Sequence, residues 1–393
     1  MSARFEAAPH LGGSLAIALF VATLLAFVLE SQLTQYVQTT LGYRQPFFLF
    51  YVVHSTFLII FPLHFLYLTV FRNFSASSLR NGLSVAIADH LAPLEQSGSI
   101  KSPRLLFLRL ALGCTAGVTL PALLWFAAIS LASVSDVTAI WNTNAFFAYV
   151  IAVKLFGLEW EPRRLLAVLL ATLGVVAVVY GGSTSATGKP SAERLPKDVA
   201  TYSKPSAPLI GDLLTLVASV GYGLYQVLYK KYAALPTDPE VVSERLYDRI
   251  PSEGPSAAQD DASSDAAGHR DAIHFPPFGL HANLLTSCIG LLTLTILWLP
   301  IPFLDYFGGE PFVLPPDAKT VLAIAGIALS GVLLGIWGPI ITSVGSLLTI
   351  VLVFISDMVF GAGAETLTLW SFIGCTVIVT AFGVLAYDMF NRG

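Results

Sequence analysis

One stretch of the sequence repeats hydrogen-bonding side chains with helical spacing and ends in cations: Tyr222, Tyr225, Gln226, Tyr229, Lys230 and Lys231. Residues three, four and seven positions apart lie on one face of a helix. Such a face suits a polar solute, and the terminal cation suits an anionic one. We therefore predict that Tyr222, Tyr225, Gln226 and Lys230 contact a solute. The alternative is a packed tyrosine stripe, with Lys231 extending to the membrane interface.

Two asparagines and a tyrosine lie within a long apolar stretch between residues 134 and 156. Asn142 and Tyr149 are seven residues apart and share a helical face, whereas Asn144 points about 160° away from Asn142. Polar side chains at bilayer depth face a bundle interior or a water-filled cavity. We predict that Asn142, Asn144 and Tyr149 contact a solute. Hydrogen bonding between helices is the alternative for both asparagines.

Ionisable residues in two other apolar stretches are candidates for proton coupling. His54 and His64 lie between residues 47 and 71, and the ordinary pKa of histidine, near 6.5, suits a proton relay. Asp357 lies between residues 344 and 361, where Thr349 is a further candidate for solute binding. Packing histidines and an aspartate solvated at a helix end are the alternatives.

Motifs for enzymatic chemistry are missing from the sequence. It contains no Walker-type phosphate loop, nucleophile elbow, His-Glu-x-x-His or Cys-x-x-Cys. The three cysteines, Cys114, Cys288 and Cys375, all lie in apolar stretches, where a small buried side chain is the ordinary role. We expect no enzyme activity, no cofactor and no metal site.

The composition is that of a polytopic membrane protein. The 393 residues are 55% hydrophobic and 12% charged, with a mean hydropathy of +0.73, whereas soluble domains carry about 25% charged residues. The net charge of -4 is small, and no Lys/Arg-rich run suggests nucleic acid. We expect an all-α membrane protein that binds no nucleic acid.

The apolar stretches predict ten transmembrane helices, each long enough to cross a hydrocarbon core of about 30 Å. They lie at residues 14–36, 47–71, 104–131, 134–156, 163–181, 209–231, 279–301, 319–342, 344–361 and 367–390. Residues 183–208 are predicted to be a linker between five-helix halves at 1–182 and 209–390.

The two halves show weak internal similarity. Ser133-Val134-Ser135-Asp136 precedes Ser343-Val344-Gly345-Ser346 by 210 positions, inside apolar hairpins of matching order. An odd number of spans in each half would make the repeats inverted, as in many transporters. The bias of Lys and Arg residues across the loops predicts that both termini are cytosolic, although the loop at 182–208 opposes this bias.

Residues 236–277 are rich in Asp, Glu, Ser and Pro, a composition typical of disorder. We predict a disordered, acidic, cytosolic loop inside the second half. A solvated connector is the favoured role, and a partner-binding segment is the alternative.

Several of these segments resemble a known family. The stretch from Val134 to Gly182, with its Lys154-Leu155-Phe156-Gly157 exit, resembles the EamA-type repeat of the drug/metabolite transporter superfamily. Gly211 through Lys231, and Leu348 through Asp357, are similar to the F subfamily of nucleotide-sugar-transporter-like solute carriers and fungal vacuolar relatives. The resemblance implies ten helices in two inverted repeats, cytosolic termini and a central solute cavity. One departure is Trp141-Asn142-Thr143-Asn144, which stands where the family commonly has an acidic residue and a proline.

The sequence therefore predicts a secondary transporter or exchanger of a small organic solute in an endomembrane, the vacuole or the Golgi. Its expected partners are the solute and the lipid bilayer, and a homodimer is left open. The competing hypothesis is a non-transporting scaffold or receptor that acts through the acidic loop.

Overall fold

The computed structural model describes residues 14–97, 102–157, 160, 162–187, 206–235, 238, 276–277, 279–337, 349–353, 355–356, 359 and 369–391. All regular secondary structure in these residues is helical. The helices are α1 (Ser14–Gln35), α2 (Pro46–Ser55), α3 (Ile60–Val70), α4 (Ala76–Ser97), α5 (Pro103–Ile129), α6 (Val134–Asn142), α7 (Asn144–Phe156), α8 (Pro162–Thr187), α9 (Pro208–Tyr232), α10 (Leu280–Ile296), α11 (Pro300–Tyr306), α12 (Ala318–Trp337) and α13 (Leu369–Asn391).

Five helical segments among the described residues are long and apolar enough to cross a membrane: Pro46–Val70, Pro103–Ile129, Val134–Phe156, Pro208–Tyr232 and Ala318–Gly335. Counting the bent pair Leu280–Ile296 and Pro300–Tyr306 as one span makes six. The prediction of an all-helical membrane chain is confirmed at this level, and the count of ten spans stays a prediction. Asp357 lies outside the described residues, as does most of the acidic segment at 236–277.

Three of the predicted spans are interrupted. Thr143 separates α6 from α7, a 3₁₀ turn at Thr56–Ile59 separates α2 from α3, and α10 bends by 45° into α11. At Thr143 the cause is local, since its hydroxyl donates to the carbonyl of Ile140 at 2.6 Å. A threonine that bonds back to the preceding turn competes with helical hydrogen bonding and favours a bend.

Helix α4 was not predicted from the sequence, because it is too polar to be a membrane span. Leu79, Leu83 and Leu91 are buried, whereas Arg80 and Asp89 are exposed. The leucine spacing of four and eight residues is the amphipathic signal that would have identified the helix. The first two leucines belong to an apolar cluster with residues of α3 and α10. Helix α4 therefore covers one end of the bundle.

Helix α9 is the central element for the site, because it packs against α5, α6, α7 and α8. Elsewhere α1 packs against α12, α10 packs against α2 and α3, and α8 packs along α13. Among the described residues, the largest apolar core brings together residues of α1, α2, α5, α6 and α12, and includes Phe50, Phe126 and Ile327.

Glu310 holds the loop before α12 against the start of α2. Its two carboxylate oxygens accept hydrogen bonds from the backbone N–H groups of Phe47 and Phe48, at 2.9 and 3.0 Å. Nearby, the Tyr43 hydroxyl donates to the carbonyl of Val313 at 2.7 Å. Burial raises the pKa of Glu310, and the two N–H donors lower it by less. The net direction is upward from the ordinary value of 4.5.

A raised pKa in the folded state gives Glu310 a defined pH effect. Above pH 4.5 the folded protein keeps the proton of Glu310 more readily than the unfolded chain does. The free energy of unfolding therefore decreases as the pH rises from 4.5 through the raised pKa of the folded state. Glu310→Gln cannot ionise there. We expect the melting temperature of the wild type in detergent, measured relative to that of this variant, to fall across this pH interval. A difference that rises with pH would mean that the two N–H donors outweigh burial.

Candidate functional site

The break between α6 and α7 lies directly against α9. The hydroxyl oxygens of Thr143 and Ser219 are 3.1 Å apart, and Ser219 Oγ donates to the carbonyl of Trp141 at 3.2 Å. Both hydroxyl-bearing residues are buried. We call this contact the Thr143 junction, and it comprises Trp141, Asn142, Thr143, Asn144, Ser219 and Gly223.

The two predicted asparagines fold back onto their own backbone at the junction. Asn142 Nδ2 donates to the carbonyl of Thr138 at 2.8 Å, and Asn144 Nδ2 donates to the carbonyl of Trp141 at 2.7 Å. Each residue is only 8% exposed. These bonds satisfy carbonyl groups around the helix break rather than joining two helices. Direct contact of either asparagine with a solute stays a prediction.

Gly223 sets the closeness of the junction. A Cβ atom added there would lie 2.9 Å from both the carbonyl oxygen of Asn144 and the backbone nitrogen of Ala148. Both are backbone atoms of α7 and have little freedom to move. Asp212, Thr215, Ser219 and Gly223 follow one another at helical spacing, and all four are buried. Small and polar residues on this face allow α9 to approach the broken span.

A row of aromatic rings extends from the junction along α9. The ring centroids of Trp141 and Tyr222 are 4.8 Å apart, those of Tyr222 and Tyr225 are 5.8 Å apart, and those of Tyr225 and Tyr229 are 5.9 Å apart. The structure therefore joins the predicted tyrosine stripe to Trp141. Tyr225 and Tyr229 also pack against an apolar cluster that contains Cys114, as the packing alternative expects.

The remaining residues of the predicted solute site are Tyr149, Gln226, Lys230 and Thr349. The ring of Tyr149 meets that of Trp160 edge-on at 6.1 Å. Gln226 is half-buried, Lys230 is exposed, and Thr349 is buried.

Neither predicted coupling histidine pairs with an acid among the described residues. The ring of His54 lies among phenylalanines, with centroid distances of 4.2 Å to Phe50 and 4.8 Å to Phe57. His64 Nδ1 lies 2.7 Å from Asn283 Nδ2, which makes a hydrogen bond between α3 and α10. The contacts of both residues are those of interior packing. A role in proton coupling stays a prediction.

Two buried aspartates were not included in the predicted site. Asp136 is 4% exposed and Asp212 is not exposed. The two carboxyl groups act on each other electrostatically, and both act on the thiol of Cys375 in α13. Asp136 lies in the first turn of α6 and Asp212 in the second turn of α9, and an acidic residue this close to the start of an apolar helix is the signal that would have identified them. No described group of three or more His, Cys, Asp or Glu residues is arranged to hold a metal ion.

Comparisons with known proteins give two distant relatives. An uncharacterized vacuolar membrane protein of Saccharomyces cerevisiae is 23% identical, with 92% of this chain and 87% of that protein aligned. An uncharacterized transporter of Schizosaccharomyces pombe is also 23% identical, over 68% of this chain and 67% of that protein. No protein-family model matches the chain. A crystal structure aligns over 94% of this chain and 98% of its own, at 17% identity and a TM-score of 0.42, which is too low to establish a shared fold.

The relatives and the apolar helices together support a multi-pass endomembrane protein with a general role in membrane transport. Membership of the EamA-type or nucleotide-sugar-transporter-like families stays a prediction from the sequence.

The close approach at Gly223 leads to a mutational prediction. Gly223→Ala should lower the melting temperature in detergent, because overpacking against the backbone of α7 costs about 1–3 kcal/mol. Gly113→Ala is the matched control, since a Cβ at that exposed helical position meets nothing within 4 Å. The control should be neutral or slightly stabilising, by up to about 1 kcal/mol. Equal melting temperatures for the two variants would contradict the packing described here.

Proposed function

We propose that this protein is a secondary transporter or exchanger that carries a small organic solute across an endomembrane by alternating access. The observation that carries the proposal is the Thr143 junction, where a broken membrane span presents polar and aromatic groups to α9. Transporters commonly build their solute sites from discontinuous helices near the middle of the membrane. The proposal fits the general transporter role that the relatives support.

Buried polar atoms supply a second line of support. Within the described part of the chain, the following atoms are buried without a hydrogen-bond partner: Gln32 Nε2, Thr34 Oγ1, Gln38 Oε1, His54 Nδ1, Ser55 Oγ, Trp125 Nε1, Thr138 Oγ1, Thr293 Oγ1, and both carboxyl oxygens of Asp212. Buried polar groups in native proteins are nearly always hydrogen-bonded to protein or ordered water. Water or a polar solute between the helices would satisfy them.

The pairing of helices supports the proposed inverted repeat. The first predicted span (α1) packs against the eighth (α12), and the third (α5) packs against the sixth (α9). In an inverted repeat each span of the first half corresponds to the span five places later, so the pair of spans one and eight corresponds to the pair of spans six and three. The second span contacts the seventh, and the fifth contacts the tenth. Each of these pairs joins two corresponding spans, as the same symmetry requires.

A glycine contact between α8 and α13 has the same reciprocity. A Cβ on Gly174 would lie 2.8 Å from the carbonyl oxygen of Gly374, and a Cβ on Gly374 would lie 2.6 Å from that of Gly174. We therefore propose two five-helix halves at 1–182 and 209–390, joined by the linker at 183–208.

The proposed solute contacts lie at and beside the junction. Asn142, Asn144 and Tyr222 are the residues nearest the break, and Gln226 follows on the same face of α9. Tyr149, Tyr225, Lys230 and Thr349 complete the proposed set. The vacuolar relative favours the vacuole over the Golgi as the membrane, and we propose that both termini are cytosolic. Solute and bilayer are the proposed partners, no enzymatic step is needed, and a homodimer stays open.

Uptake by proteoliposomes tests this proposal. The purified protein should take up one class from a panel of nucleotide sugars, nucleosides, vitamins and amino acids. Asn142→Ala should reduce that uptake by about tenfold or more, the effect of losing one good polar contact. Asn81→Ala, an exposed asparagine in α4, is the matched control and should transport normally. Uptake of no panel class by folded wild-type protein would favour the scaffold hypothesis, and normal uptake by Asn142→Ala would remove that residue from the site.

The scaffold hypothesis is separated from transport by a loop deletion. Asp238 should be kept, because its carboxylate accepts a hydrogen bond from the Leu235 N–H at 2.8 Å and lies 2.8 Å from His281 Nδ1 in a buried contact. Deletion of residues 240–275 therefore leaves this anchor to α10 intact. A transporter should retain uptake after the deletion, whereas a scaffold should lose its partner.

A further inference from the structure

We infer that Asp136 and Asp212 together hold one exchangeable proton, and that its binding and release couple solute movement to a proton gradient. This inference rests on the proposed transport function. It places coupling at two residues that lie outside the set predicted from the sequence.

The fold fixes the two aspartates near each other. Asp136 lies in the first turn of α6 and Asp212 in the first turns of α9. The start of α9 is pressed against the end of α5, because a Cβ on Gly211 would lie 2.9 Å from the backbone nitrogen of Ala132. In addition, the Ala207 N–H donates to the carbonyl of Leu131 at 3.3 Å. The chain segments that directly precede the two aspartates are therefore in contact, and α6 packs against α9 beyond them.

The Asp212 side chain lacks a partner of its own. It has no exposed surface, and neither of its carboxyl oxygens finds a hydrogen bond among the described residues. Asp136, itself buried, is the acidic group that acts on it. Two negative charges buried together are strongly unfavourable unless a positive charge joins them. The geometry therefore calls for one cation at this position.

A proton fits the surroundings better than a metal cation. Calcium and magnesium ions bound to proteins take several oxygen ligands, and two hydroxyl groups beside the pair, those of Ser133 and Thr215, are already engaged. Ser133 Oγ accepts a hydrogen bond from the Asp136 N–H at 3.0 Å, and Thr215 Oγ1 donates to the carbonyl of Gly211 at 2.8 Å. Cys375 in α13 is the further described titratable group that acts on both aspartates. A shared proton needs no extra ligands.

The coupling step is a simple proton transfer. A proton from water on one side of the membrane adds to a carboxylate oxygen of the pair, which removes one of the two negative charges of the pair. In the alternate state the same proton leaves to water on the other side, and the carboxylate is restored. Asp136 lies on α6 and Asp212 on α9, and α9 meets the end of α6 at the Thr143 junction. The charge of the pair therefore biases the packing of α6 against α9.

Infrared titration tests the pair with the proton itself as the probe. Purified wild-type protein in detergent should show a carboxyl C=O stretching band that appears and disappears with pH. Asp136→Asn and Asp212→Asn should each remove or shift that band. Cys375→Ala and Asp89→Asn, which changes an exposed carboxyl in α4, should retain it. An unchanged band in both pair variants overturns the inference. Loss of the wild-type band at fixed pH when sodium replaces potassium also overturns it, because that result would assign a sodium site.

Transport assays separate failure of the inference from failure of the proposed function. In proteoliposomes, an imposed pH gradient should change the uptake of the panel solute by the wild type. Asp136→Asn and Asp212→Asn should each lose this response. Both variants should still exchange solute when no gradient is imposed. Wild-type uptake that ignores the gradient overturns the coupling role. Absence of wild-type uptake for the whole panel would refute the proposed function, and with it the coupling, whereas the infrared titration would still decide whether the pair binds a proton.

Discussion

The contact between the break at Thr143 and α9 is the constraint on which the candidate site depends. A membrane-spanning helix that is interrupted frees backbone carbonyl groups, and within a bilayer no lipid atom can hydrogen-bond them. Here the side chains of Asn142, Thr143 and Asn144 bond carbonyl groups of their own segment, and Ser219 reaches across from α9. Gly223, one turn further along α9, lets the two backbones approach closely beside this bond. The helix break at Thr143, the glycine in α9 and the polar side chains around the break therefore form one structural unit.

Much of the helix pattern was predictable, because long apolar runs are imposed by the bilayer and do not depend on tertiary contacts. For example, the span predicted at 209–231 is α9, Pro208–Tyr232. The breaks were less predictable. Thr143 interrupts a run whose overall hydropathy still reads as one span, and its effect depends on which carbonyl its hydroxyl finds. Helix α4 was missed because its stability comes from leucines docking on the bundle end, which a search for membrane spans cannot detect.

The candidate site was predictable only in part. Helical periodicity placed Tyr222 and Tyr225 on one face, and the structure joins that face to Trp141. Periodicity does not reveal what packs against a face, so the apolar surroundings of Tyr225 could not be foreseen. Asp212 was missed for a related reason. Its burial follows from the packing of α9 against α5 at Gly211, which the sequence of α9 alone does not reveal.

A transport pathway at the Thr143 junction requires that the face of α9 at this junction be accessible to water. Single-cysteine labelling measures this directly, in protein whose Cys114, Cys288 and Cys375 have been replaced. We expect Tyr222→Cys in proteoliposomes to react with a membrane-impermeant thiol reagent. Leu224→Cys, on the exposed outer face of α9, should be shielded by lipid and should not react. An inert cysteine at position 222, or equal labelling at both positions, would show that no water-accessible pathway runs along this face of α9.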